Sequence, residues 1–345
     1  MKKVSLLGLG AALLASMSFT AEPVSAQSTL EIVQQRGSLR CQVGTPSPGF
    51  YALSDSGTWS GFDVENCRAI SAAIFGDPDK IEYQSVTSAV RFTAMANGES
   101  DVLSRTTTWT LFRDTQLGLD FTTVNFYDGQ GFMVTNDSGI NSALELKGAT
   151  VCVLTGTTTE LNLTDYARTN GLGIEPVVFE DSNVRDSTFF SGGCDAVTND
   201  KSGLASIRAK APDQSIYKIL PETISKEPLG PVVRQNDSQW NDIVMWSVFA
   251  MVAAEELGVN SGNVDELKGS SSNPEIKRML GVEGDLNKGL GLGKDWAYNI
   301  IKMVGNYGEN YEEYMGAKTV MNIPRPGSVN DLWTRGGLMY SPPFR

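Results

Sequence analysis

Apolar and polar positions follow two alternating rhythms along this chain. Residues 38–43 read as a strand. From residue 63 to 75 the apolar side chains return at Val64, Cys67, Ile70 and Ile74, the spacing of a helical stripe, which Gly76 brings to a stop. Residues 91–97 predict a further helix ended by Gly98, and residues 101–103 a short strand. The rhythm restarts near Ala149, with strands predicted over residues 150–154, 175–179 and 194–197 and a helix opening at Thr157. Such strand–helix–strand succession belongs to the α/β class with mostly parallel sheets. Outside the amino-terminal segment, the longest apolar stretch is residues 243–254. It carries Ser247 between Asp242 and Glu255, and reads as a buried helix rather than a membrane span. No repeat at solenoid or propeller periods is visible.

Two glycine- or proline-bearing passages, residues 127–134 and 226–233, bracket the second α/β unit. They imply that the chain leaves a first lobe, builds a second, and returns. Two crossings make a hinge, and a hinge with a cleft makes a clamshell. The expected architecture is therefore a two-lobed α/β clamshell with two crossover strands. Lobe 1 is expected over residues 27–132 and 232–345, and lobe 2 over 133–231. Two sequential domains remain open on pattern alone. A length of 345 residues exceeds what one core usually serves.

The first 26 residues carry an address. Lys2 and Lys3 precede an apolar run over residues 4–19, and Val24-Ser25-Ala26 supplies small residues for cleavage after Ala26. Export follows, since the run is short for an anchor. Forty acidic against 28 basic residues give a net charge of -12, which repels nucleic acid and anionic headgroups. Four cysteines in an exported chain favour disulfides. Three pairings are possible; Cys41–Cys67 with Cys152–Cys194 is preferred because each then staples one lobe, contributing about 3–4 kcal/mol. There is no CxxC motif and no histidine. Triad hydrolysis and histidine-based zinc chemistry are thereby excluded, and no metal or cofactor is expected.

A free α-amino acid can be buried only against a cation with N–H donors for its carboxylate and an anion for its ammonium. Several segments supply these. In residues 151–160 a strand turns through Gly156 into a helix capped by Thr157, with Glu160 expected to complete a capping box. Its N–H groups and the Thr158 hydroxyl can face a carboxylate. An ordinary capped helix is the alternative. In residues 104–114 hydroxyls crowd towards Arg113, which can fork onto a carboxylate beside Thr106 and Thr108; a surface Arg113–Asp114 contact is the plainer reading. Asp200 falls at the carboxyl edge of its sheet, where α/β folds bind ligands, or else caps a helix beside Lys201. Phe50, with Trp59 just beyond, can cover a ligand side chain or pack locally.

Taken in order, these segments resemble the amino-acid-binding proteins of polar-amino-acid ABC transporters, a periplasmic family with the hinged two-lobe fold. The resemblance rests on Gly61-Phe62-Asp63-Val64-Glu65, the Thr-rich run to Arg113, residues 155–160 and residues 195–200, within a stretch from about 38 to 235. Gln130-Gly131-Phe132, residues 157–163 and 224–231, and the ending Gly337-Leu338-Met339-Tyr340-Ser341-Pro342-Pro343 look like the subgroup that takes many L-amino acids. The resemblance implies that Arg113 holds the ligand carboxylate with Thr108 and Thr158. It implies Asp200 on the ammonium with Thr106, Phe50 over the side chain, and Arg91 facing the side-chain pocket, favouring acidic or polar ligands. It further implies a periplasmic monomer that delivers its ligand to an inner-membrane ABC permease. Asn66 departs from the family pattern, where an apolar residue is usual. Two other readings use the same scaffold: an exported dehydratase-like enzyme pairing Glu65 or Asp200 with a lysine, and a sensory protein that docks to a receptor.

Overall fold

A computed structural model describes residues 27–345; the expected export signal lies outside the described residues. Two five-stranded sheets form the cores of two lobes. In the first, Leu39–Val43 lies between Ile81–Ser85 and Val102–Leu103, all parallel, and Val232–Arg234 and Leu119–Phe121 complete the far edge. In the second, Thr150–Leu154 lies between Glu175–Phe179 and Ala196–Asp200, again parallel, followed by the antiparallel strands Gln130–Thr135 and Tyr217–Ile219. The predicted helix after Asp63 spans Phe62–Phe75, ended by Gly76 in the left-handed conformation. Parallel strands linked through helices put all their carboxyl ends on one edge, so each lobe offers one loop-bearing edge to the other.

The crossing is a separate two-stranded ribbon, Phe126–Asp128 against Glu227–Leu229, with Glu227 opposite Asp128. One correction to the expected boundaries follows. Gln130–Thr135 pairs throughout within the second sheet, so lobe 2 begins near Gly129, and the boundary at residue 132 would cut a strand. Gln130 reads as linker because it is polar. Its side chain is fully buried, however, and its Nε2 donates to Thr159 O at 3.0 Å and Thr198 Oγ1 at 2.8 Å.

Lobe 1 owes its size to the returning chain. Ser238–Glu256 and the helices after it pack on Phe62–Phe75, and one continuous apolar core runs from Leu30 to Phe344. Lobe 2 has two smaller clusters, one on each face of its sheet. Cys41 bonds Cys67 and Cys152 bonds Cys194, each within a lobe. Asn66 is buried, and its Nδ2 donates to Ser104 Oγ at 3.4 Å. No helix of the described residues is long and apolar enough to cross a membrane.

Candidate ligand-binding site

The facing edges enclose a cavity with about 730 Å³ of non-atom space, counting its opening to solvent. Lobe 1 contributes Phe50, Tyr51, Ser88, Arg91, Arg105, Thr106, Thr108 and Arg113; lobe 2 contributes Leu154, Thr157–Thr159, Ser182, Arg185, Asp200 and Lys210. The lobes touch around it. Ser47 and Ser206 hydroxyls lie 2.5 Å apart, Arg91 Nη2 donates to Gly156 O at 3.4 Å, and the Thr108 and Thr158 hydroxyls are 3.4 Å apart. Gly156 has φ 70°, and a Cβ there would sit 3.2 Å from Ala89 Cα of the opposite lobe. Glycine therefore serves this turn twice, through its conformation and through the closeness of the other lobe.

Three arginines of lobe 1 face this space without an ion-pair partner among the described residues. Arg113 is 7% exposed and uses only Nη1, which donates to Thr108 O at 2.9 Å. It does not pair with Asp114, whose Oδ1 accepts from Phe121 N–H instead. Arg91 donates to Ser88 O at 3.1 Å, and Arg105 donates through both terminal nitrogens to Ser88 Oγ at 3.3 Å; the Nε of each is buried with no acceptor. The guanidiniums of Arg91 and Arg113 both approach the Phe92 ring, at 4.5 and 5.0 Å from its centre. Burial pushes Arg113 down to about 10 and Arg91 well below its usual range, with neighbouring arginines adding to the effect. These are cations prepared for an anion that the protein itself does not provide.

Asp200 is the counterpart from lobe 2. It stands at the N-cap position of Lys201–Ala209 but makes no capping bond, and its Oδ1 is buried without a donor. Burial, then repulsion from Asp128 and Glu227, pushes its carboxyl well above the usual range. An ammonium brought against it would reverse that shift.

The threonines act in a way the sequence did not disclose. Thr108 and Thr158 each donate their hydroxyl to one oxygen of Glu227, at 2.6 and 2.9 Å. Those hydroxyls therefore offer lone pairs, not hydrogens, to the cleft. What remains for a carboxylate is backbone. Thr157 caps the helix Thr158–Asn170 through Glu160 N–H, while Glu160 takes Gly156 N–H at 2.9 Å instead of closing the expected capping box on Thr157. The N–H groups of Thr158 and Thr159, and that of Thr108 across the cleft, have no protein acceptor among the described residues. Thr106 sits at φ 39°, held by its N–H to Asp63 Oδ2 at 2.7 Å, with its hydroxyl 3.3 Å from Tyr51 OH. Phe50 forms part of the wall, but only 2% of it is exposed, and it packs edge-on against Phe126. Trp59 lies off the cavity, against Tyr83.

Sequence reasoning thus missed Glu227, Arg105, Ser88 and Tyr51. Arg105 lies inside the Thr-rich run already singled out, and a carboxylate in the apolar returning passage was the available signal for Glu227. Glu65, the carboxylate an enzymatic reading would pair with a lysine, points away to Arg68 and to the Tyr314 hydroxyl at 2.9 Å.

Residues 39–260 match the model of the bacterial extracellular solute-binding proteins, family 3. The chain belongs to that family. Its relatives include a glutamate/glutamine/aspartate/asparagine-binding protein of Rhodobacter capsulatus, 52% identical over 92% of this chain and 94% of that one. A general L-amino acid-binding periplasmic protein of Rhizobium johnstonii is 50% identical over 98% of each chain. Among solved structures, an ABC transporter periplasmic binding protein from Brucella ovis with glutathione bound superposes with a TM-score of 0.90. It is 49% identical, across 93% of this chain and all of that one. The two-lobe fold and the cleft between the lobes are those of a family 3 solute-binding protein.

Proposed function

We propose that this protein is an exported binding protein that captures free L-amino acids between its lobes and hands them, as a monomer, to an ABC permease of the inner membrane. One observation carries the reading: a buried guanidinium and a buried carboxylate, Arg113 and Asp200, reach one cavity from opposite lobes, and neither has an ion-pair partner. A zwitterionic head group satisfies both at once. In this reading Arg113 and the N–H groups of Thr108 and Thr158 hold the carboxylate. Asp200 and the Thr106 hydroxyl hold the ammonium, and Phe50 walls the side chain. Arg91 joined by Arg105 and Ser88 faces a polar or anionic side chain, so acidic amino acids and their amides rank first among ligands. The names of the Rhodobacter and Rhizobium relatives support that class. The Brucella relative extends the candidates to compounds carrying an amino-acid head on a longer tail. Because ligand contacts come from both lobes, binding favours the closed state that a permease can distinguish from the open one.

Titration calorimetry with ligand-stripped protein and the standard L-amino acids tests this. Saturable binding is expected, tightest for glutamate, aspartate, glutamine and asparagine. The absence of binding by any of them would remove the proposal.

A further inference from the structure

The head site occupies only one end of the cavity. Along Lys201–Ala209 and its C-cap, Gly203, Ile207 and Lys210 are spaced four and three residues apart, share one helix face, and all line the space. The wall thus runs seven residues beyond the Asp200 end, roughly 10 Å at about 1.5 Å per residue. At its far end Lys210 meets Arg185 of Ser182–Phe190. Both hold Asp186: Arg185 donates Nε and Nη2 to Oδ1 at 2.8 and 2.6 Å, and Lys210 Nζ donates to Oδ2. Two cations on one carboxylate leave a positive charge over. Arg185 is 3% exposed, and its Nη1 has no protein acceptor among the described residues; the nearby Ser182 hydroxyl has no partner there either. Counted along the whole cavity, Arg91, Arg105, Arg113, Arg185 and Lys210 face Asp200 alone, in a protein of net charge -12. A ligand with a single carboxylate leaves much of that wall uncompensated.

We propose that Arg185 and Lys210 form a distal anion site that takes the terminal carboxylate of a short peptide whose α-amino-acid head sits at Arg113 and Asp200. The inference rests on the head-group reading above. Its chemistry narrows the ligand class sharply. An ordinary peptide separates its free ammonium and free carboxylate to opposite ends, so it cannot satisfy Arg113 and Asp200 with groups on one carbon. A peptide joined through the side-chain carboxyl of its first residue keeps both groups on that carbon and carries a second carboxylate at its tail. Extended chain adds about 3.5 Å per residue, so a tripeptide of this linkage spans about 10 Å, the length of the wall. The class is therefore γ-glutamyl peptides of about three residues.

Calorimetry with glutathione, glutathione whose glycine carboxylate is converted to the amide, and L-glutamate tests the site on the wild type and on Lys210→Gln. Glutathione is expected to bind and to displace L-glutamate. The amide should bind about tenfold more weakly to the wild type, the scale of one charged hydrogen bond. In Lys210→Gln the acid–amide difference should shrink below about threefold, while L-glutamate affinity moves much less than glutathione affinity. Failure of glutathione to displace bound L-glutamate, or equal affinity of acid and amide for the wild type, overturns the distal site and leaves the amino-acid reading intact. Glutathione binding with the amide penalty, in the absence of any free amino-acid binding, keeps the distal site and removes free amino acids as ligands. No binding of either removes both.

Discussion

Replacing Asp200 by Asn separates folding from binding cleanly, because this carboxylate does nothing for the empty fold. It makes no capping bond, its Oδ1 has no donor, and its backbone N–H is already held by Asn199 Oδ1 at 3.0 Å. Its charged form is opposed by burial and by Asp128 and Glu227. With the carboxyl pushed above its unfolded range, ionisation at neutral pH costs the native state stability, so Asp200→Asn is expected to unfold at the same or higher denaturant concentration. Binding should respond oppositely. Removing one partner of a buried, hydrogen-bonded charge pair costs about 2–5 kcal/mol, and each 1.4 kcal/mol is about tenfold, so L-glutamate affinity should fall roughly 30-fold or more. Titration calorimetry in two buffers of different ionisation enthalpy adds a second readout. Below the raised pKa, wild-type binding must drive a proton from Asp200, and the variant must show no such release. Affinity of the variant within threefold of wild type, or an unchanged proton count, refutes the assignment.

Glu227→Gln should loosen the closed state. Gln offers one acceptor oxygen where Glu227 takes Thr108, Thr158, Asn162 and Ser225, so at least one donor is left without a partner, costing about 1–3 kcal/mol. L-glutamate affinity is expected to fall about tenfold, with a larger radius of gyration by solution scattering at matched ligand; unchanged values for both refute a latch at the hinge. Burial pushes Asp63 from 3.8 to about 6, although Thr106 N–H and Asn125 Nδ2 both favour its charged form. The native state then holds this proton more tightly than the unfolded chain, so its penalty is full above about pH 6 and disappears as pH falls below 3.8. Asp63→Asn should therefore gain stability relative to wild type at neutral pH and lose that advantage in acid, measured by urea unfolding at each pH. Parallel pH profiles contradict it.

What was legible in the sequence was local. The strand–turn–helix at Gly156 and Thr157, the helix ended by Gly76, and the strand end carrying Asp200 are each written in a few neighbouring residues, and they fold as read. The cysteine pairs followed once the lobes were separated. What stayed hidden depends on partners far apart in the chain. Thr108 and Glu227 are 119 residues apart, and no periodicity announces that a carboxylate on the return strand will turn two cleft hydroxyls into acceptors. Gln130 looked like linker because side-chain polarity is a poor guide where Thr159 and Thr198 satisfy a buried amide. Glu160 missed its expected partner because the left-handed turn at Gly156 brings a different N–H within reach. Arg185 and Lys210 sit in unremarkable helices and become neighbours only when both pack on one face of the second sheet.

The most direct test of the account is a crystal structure of the ligand-stripped protein soaked or grown with L-glutamate. The account predicts closed lobes, with the α-carboxylate on the free guanidinium nitrogens of Arg113 and the ammonium within hydrogen-bond distance of Asp200. Density for the ligand outside this cavity, or inside it with the ammonium away from Asp200, contradicts it.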